Sequence, residues 1–307
     1  MSDSTLSRPA AAAASRRATE GVLAAGGAFV IWGLFPMYLK ALQTVPPLQV
    51  IAHRVVWCCL LVMGWLAGRR ELGRVSAALA DRRARWTLLA TGTLISVNWL
   101  VYVWGVTNDR VVETSLGYFI NPLVNVLFGV VLLSERLNRM QWTAVGLAAA
   151  GVLYLTWSAG HPPWLALTLA VSFGLYGLLR KVVSVDALAG LATETLLIMP
   201  FAAAFLIWSE AAGTGALGHS GFAIDALLVA SGAVTAVPLV LFAFGARRIP
   251  YSTVGLLQYI APSLQLALGV LVYGEPFGRE RAIGFSLIWL ALVIYAVDGL
   301  WRARRQI

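Results

Sequence analysis

Charge, cysteine and histidine are all scarce in this chain. Charged residues make up 12% of its 307 positions, about half the share of an ordinary soluble domain, which excludes a fold whose whole surface faces water. Of 2 cysteines and 3 histidines, Cys58 and Cys59 are neighbours, and adjacent side chains on a helix diverge by about 100°. That excludes an easy bridge between them and leaves packing as their role. The patterns G-x-x-x-x-G-K-[ST], G-x-S-x-G and H-E-x-x-H do not occur. No nucleotide-driven motor, serine hydrolase or zinc peptidase is therefore indicated.

What the chain has in abundance is apolar sequence, at 59% of residues. Runs of roughly 18 to 24 residues, each long enough to cross a hydrocarbon core of about 30 Å as a helix, recur along it. Ten can be drawn, at about 21–42, 47–67, 86–106, 112–133, 140–157, 163–181, 190–208, 224–245, 252–273 and 281–301. Backbone polar groups in lipid must be satisfied within the segment, so these are helices. The first run has no small-x-small cleavage site after it, so it reads as a span rather than a leader. Residues 1–20 and 302–307 read as tails outside the bundle, the first of them disordered.

The net charge of +9 invites a nucleic-acid partner, but the loops give it a topological cause. Arg8, Arg16, Arg17, the arginines between Arg69 and Arg85, Arg136, Arg139, Arg180, Lys181, Arg247, Arg248 and Arg302 to Arg305 fall on one side of ten alternating spans. Only Lys40, Arg110, Arg279 and Arg281 fall on the other. The positive-inside rule places the first set, and both termini, in the cytoplasm. No nucleic-acid partner is expected; the surroundings are membrane lipid.

The chain also repeats itself. Ile120, Pro122, Gly129, Val130, Glu135, Arg139 and Leu147 recur 140 residues later as Ile260, Pro262, Gly269, Val270, Glu275, Arg279 and Leu287. Upstream, Gly33, Leu34 and Lys40 recur as Gly174, Leu175 and Lys181. Each unit holds five spans, an odd number, so the second enters the membrane from the opposite face. The expected fold is an all-α polytopic membrane protein of ten transmembrane helices in two inverted five-helix repeats, residues 21–157 and 163–301.

Several motifs carry a resemblance: Phe29–Pro36 (FVIWGLFP), Ala52–Trp57 (AHRVVW), Asn98–Trp104 (NWLVYVW), Ser115–Asn125 (SLGYFINPLVN), Ser134–Trp142 (SERLNRMQW) and Gln258–Pro262 (QYIAP). In these the chain resembles the EamA-type branch of the drug/metabolite transporter superfamily, and within it the RarD-like, or chloramphenicol-sensitive, proteins. The resemblance implies ten helices, both termini inside the bacterial cytoplasmic membrane, and carriage of a small solute.

A carrier must replace the water of its solute near the middle of the bilayer. On the fourth span Tyr118, Asn121, Pro122 and Asn125 share a helical face, and the matching face of the ninth carries Gln258, Ala261, Pro262 and Gln265, with Tyr259 beside them. The amides face the bundle, as solute contacts or as interhelical glue. Pro122 and Pro262 each free a carbonyl one turn earlier, which suits a gate or ordinary curvature. Three ionisable groups lie within spans, where charge is costly: His53, Arg54 and Glu194. His53 and Glu194 correspond across the repeat, so each is expected to guard one half of the pathway rather than to pair with the other. Either could carry a coupling proton; the alternatives are a satisfied structural histidine and a carboxylate reaching out to the interface. Arg54 either attracts an anionic group of the solute or pins neighbouring carbonyls. Trp32, Trp57, Asn98, Trp99, Tyr102 and Tyr176 sit within spans rather than at their ends, suited to stacking on a solute or to packing. Glu135 and Glu275 are expected to cap the helix that follows each.

The sequence thus points to a secondary transporter with no cofactor and no bound metal, moving a small-molecule substrate by alternating access with ion or proton coupling open. Catalysis is not expected. The alternatives are a membrane enzyme acting on lipid or peptide, and a sensor or assembly subunit. Small-residue faces suit contacts within the bundle or a homodimer.

Overall fold

The computed structural model describes residues 8–133, 137–246, 248–249 and 257–305. Glu135 and residues 251–256, part of the expected ninth span, lie outside them. The described residues form helices and no strand: α1 (Arg8–Ala41), α2 (Pro47–Gly68), α3 (Gly73–Ala80), α4 (Arg82–Thr107), α5 (Val111–Leu133), α6 (Arg139–Ala159), α7 (Trp164–Val182), α8 (Ala187–Ala211), α9 (Phe222–Ala246), α10 (Ile260–Ala267) and α11 (Arg279–Arg305). A single π turn, Leu268–Val272, extends α10. Eight of the helices are long and apolar enough to cross a membrane, and Trp164–Arg180 and Ile260–Val272 are shorter apolar helices.

Local chemistry explains the boundaries. Pro47 opens α2 at a position where its missing N–H costs nothing. Asp81 accepts from the Arg83 and Ala84 amides to start α4, and Asp186 does the same for α8 through Leu188 and Ala189. Asn138 and Gln141 exchange side-chain and backbone bonds as a capping box at α6. Two ends differ from expectation. The alanine-rich stretch from residue 10, a strong helix former, joins α1, with Arg16 and Glu20 paired one turn apart, so α1 begins inside the expected tail. α11 likewise runs on to Arg305. The short α3 was not foreseen: Val75 and Ala78 are its buried residues, too few to mark a span.

The helices pack around buried clusters of Leu, Val, Ala and Phe, while Trp65, Trp157, Phe201, Ile207 and Leu271 stand outward. An apolar exterior of this kind belongs in lipid. α1 packs on α9 and α10; α2 on α8 and α9; α4 on α7 and α8; α5 on α7 and α10; α6 on α11. At one end of the bundle Gln49 donates to the Thr214 carbonyl at 2.7 Å and accepts from the Ala216 amide at 3.0 Å. Lys40 pairs there with Asp109 and lies over the Tyr273 ring. At the other end Arg74 reaches Asp186, and Asn138 donates to both Asp298 oxygens.

Candidate functional site

Arg54 of α2 is 5% exposed. Its guanidinium lies against two rings, 3.9 Å from the Trp99 centroid and 4.7 Å from that of Phe35, and Nε donates to Thr235 Oγ1 of α9 at 2.6 Å. Nη1 is buried without a hydrogen-bond partner, and no carboxylate among the described residues forms an ion pair with Arg54. The aromatic set continues from ring to ring: Tyr38, Phe35, Tyr102, Tyr118, Phe173 and Tyr176, with successive centroids 5.5–6.2 Å apart. The Tyr102 hydroxyl is also buried without a partner.

Glu194 of α8 forms a second centre and is 2% exposed, so it does not reach out to the interface. Thr91 donates to its Oε1 at 2.6 Å, and Arg180 Nη1 stands 3.6 Å from the same oxygen. Tyr176 adjoins the carboxylate, but Oε2 accepts no hydrogen bond. Arg180 reaches this far because its guanidinium lies flat on Gly190, where a Cβ would block it. A narrow cleft beside Glu194 is lined by Val55, Ser96, Trp99 and Thr195. Trp99 therefore forms a wall with Arg54 against its ring and the Glu194 cleft beside it.

His53 lies elsewhere. With Trp57, Gln49, Ser209 and Glu210 it lines a cleft of about 200 Å³ between α2, α8 and the loop after α8. The indole N–H of Trp57 is buried without a partner. No ion pair joins His53 to Glu194 among the described residues.

The amides divide. Asn98 Nδ2 ties α4 to α7 through the Leu169 carbonyl at 3.0 Å and Ser172 Oγ at 2.9 Å. Gln265 Nε2 donates to the Trp32 carbonyl at 3.0 Å, tying α10 to α1. Both amides tie helices together, each with an oxygen left unpartnered, as is Asn121 Oδ1. Asn125 is exposed, and Gln258 and Tyr259 are half-buried. Trp32 packs against Phe29 and Phe242. Pro122 lies within an unbroken α5, whereas Pro262 falls in the first turn of α10, just after a turn at Gln258 and Tyr259. A proline in a first turn removes no hydrogen bond.

Glu275 requires a correction. It does not cap α11, the helix that follows it; its two oxygens accept from the Val111 and Val112 amides at 2.6 and 2.8 Å, at the start of α5. Gly274, with φ +65°, takes the left-handed turn that folds the loop back over α5. Burial pushes the Glu275 carboxyl above its ordinary pKa, against the downward pull of those two amides. Sequence reasoning also missed Thr91, Thr235 and Arg180 as partners. Arg180 had been counted as a loop charge, and a threonine within an apolar helix carries no distinctive signal.

The model of the EamA-like transporter family matches residues 19–157 and again 163–297. The chain is 45% identical over 283 residues to an uncharacterized transporter of Vibrio cholerae, covering 92% of this chain and 94% of that protein. It is 44% identical over 286 residues to the protein RarD of Streptomyces exfoliatus (93% and 91% covered), and 39% identical over 291 residues to the protein RarD of Escherichia coli (95% and 98% covered). A solved crystal structure, 18% identical, superimposes with a TM-score of 0.56 over 90% of this chain and 96% of that one, a likeness of fold. With two family matches, near-complete relatives and helices suited to lipid, this chain is a multi-pass membrane protein belonging to the EamA-like transporter family.

Proposed function

We propose that the chain is a secondary transporter of the bacterial cytoplasmic membrane, carrying a small organic metabolite or drug by alternating access between two inverted five-helix halves. The observation that carries this reading is the symmetry of helix pairing. Exchanging α1 with α7, α2 with α8, α4 with α9, α5 with α10 and α6 with α11 turns the nine most extensively packed pairs among the described residues into themselves, although weaker pairs such as α2 with α4 have no such counterpart. Two halves related in this way can rock about a shared site so that it faces each side in turn. The loops support ten crossings, both termini lying on the cytoplasmic side. The helix ends and loops bearing Lys40, Asp109, Thr214 and Glu275 gather at one end, and those bearing Arg74, Asp186 and Asn138 at the other.

The pathway runs past Trp32, Trp57, Trp99, Tyr102, Tyr118 and Tyr176, with Arg54 and the Glu194 cleft both beside Trp99 and His53 near the end that bears Gln49. The unpartnered oxygens of Asn98, Asn121 and Gln265 are acceptors for solute or water, and Asn125, Gln258 and Tyr259 lie further along. Pro122 and the turn before Pro262 are the bending points. Glu194, with a free oxygen, a threonine donor and an arginine at hand, is the residue placed to exchange a coupling proton; His53 is its counterpart in the other half. The test is uptake by proteoliposomes from a mixed metabolite and amphenicol panel, read by mass spectrometry, with and without a proton gradient. Accumulation above empty liposomes is expected, and none under either condition sinks the proposal.

A further inference from the structure

A lone guanidinium inside a membrane bundle is costly unless something compensates it. Arg54 has partial compensation: the rings of Trp99 and Phe35 lie against its guanidinium, and Thr235 takes Nε. None of these carries negative charge. The titratable groups around it are tyrosines and Cys58, which are neutral near pH 7, rather than carboxylates. Two donors remain buried and unused, Arg54 Nη1 and the Tyr102 hydroxyl. The rings and Thr235 leave Nη1 as a buried donor on a planar group suited to recognition of a planar acceptor.

We propose that Arg54 is the recognition residue for an anionic group on the carried solute, and that the solute is an organic carboxylate with an aromatic or apolar body. This rests on the transporter reading above. One cation favours a single negative charge, hence a carboxylate rather than a phosphate dianion. Tyr102 donates to the same group. Phe35, Trp99 and Tyr118 supply faces for the apolar body, each ring being worth more to a planar solute than to an aliphatic one. Trp99 touches both the Arg54 guanidinium and the cleft beside Glu194, so its indole is shared by the two centres.

The experiment uses the purified full-length protein in detergent, with thermal shifts measured for carboxylate and primary-amide pairs: phenylacetate, cinnamate and indole-3-acetate against their amides. Each pair differs in charge and little in shape. The native protein is expected to respond to at least one carboxylate at concentrations about tenfold or more below its amide. Arg54→Met removes that preference. Arg54→Lys, which keeps the charge without the planar fork, weakens it by about tenfold or more and decides the matter if the Met variant does not fold. Equal response to acid and amide throughout, or a preference that survives either substitution unchanged, overturns the proposal. Flux of the same pairs into proteoliposomes separates the two ideas. Selective binding without flux removes the transporter reading and leaves the anion site, whereas equal flux of acid and amide removes the anion site and leaves the transporter.

Discussion

Adding one methyl group at Gly232 tests the packing that holds Arg54 in place. A Cβ there would lie 2.6 Å from the carbonyl carbon and oxygen of Trp57 and 2.9 Å from the Cys58 nitrogen. These are backbone atoms of α2, so no rotamer change relieves the clash. Ordinary contact begins near 3.4 Å, so α9 must retreat from α2 by about 0.8 Å or more. Overpacking of this kind costs about 1–3 kcal/mol. Thr235 lies three residues on, and its 2.6 Å bond from Arg54 Nε stretches with the same movement. A hydrogen bond to a charged group is worth about 1.5–3 kcal/mol. Because one displacement causes both losses they do not add fully, and Gly232→Ala is expected to lower stability by about 2–5 kcal/mol. Equilibrium unfolding in detergent micelles measures it, with Gly64→Ala as control: that glycine is also on α2, and nothing lies within 4 Å of its added Cβ. If Gly232→Ala proves as stable as Gly64→Ala, the close approach of α2 and α9 is wrong.

Glu194→Gln is expected to leave solute exchange intact while removing the dependence of uptake on a proton gradient; gradient-driven uptake by the variant takes Glu194 out of coupling. Glu275→Ala strips the acceptors from two amides at the start of α5 and should cost about 1–3 kcal/mol in the same unfolding assay. Because Glu275 has a raised pKa, the folded chain holds its proton more tightly than the unfolded one. Its contribution is full below the ordinary carboxylate value and is lost as pH rises through the raised one. Glu275→Gln should therefore flatten a fall in stability with rising pH over that window, and an unchanged slope contradicts the assignment. Gln265→Leu loses one bond between α10 and α1 and is expected to cost about 1 kcal/mol or less, the usual scale for such bonds in membranes; a loss of several kcal/mol would show that it holds more than Trp32.

The spans were legible because a bilayer sets their length and their apolarity, and the ends of α2, α5 and α6 fall close to where the hydrophobic runs stop. What escaped lies where that rule is silent. α3 has eight residues and one narrow buried face, and the alanines before residue 16 form helix without being long or apolar enough to read as a span. His53, Arg54 and Glu194 stood out because charge is rare in such segments, and all three are buried. Their partners did not stand out. Thr91 and Thr235 look like any helix threonine, and Arg180 looked like a loop charge until Gly190 let it cross α8. Glu275 was assigned to the wrong helix because capping was argued along the chain. The amides that donate to it, of Val112 and Val111, are 163 and 164 residues away in sequence, a closeness that only the folded loop creates.

The measurement closest to the central claim is two-sided accessibility of a cysteine placed at Ser96, which lines the cleft between Trp99 and Glu194. Cys58 and Cys59, both buried and free, are first replaced by alanine. Alternating access predicts that a membrane-impermeant maleimide labels residue 96 when added from either face of the membrane, and that cross-linking the loops at the Lys40 and Asp109 end abolishes labelling from that face alone. Labelling from one face only, whatever solute is present, contradicts it.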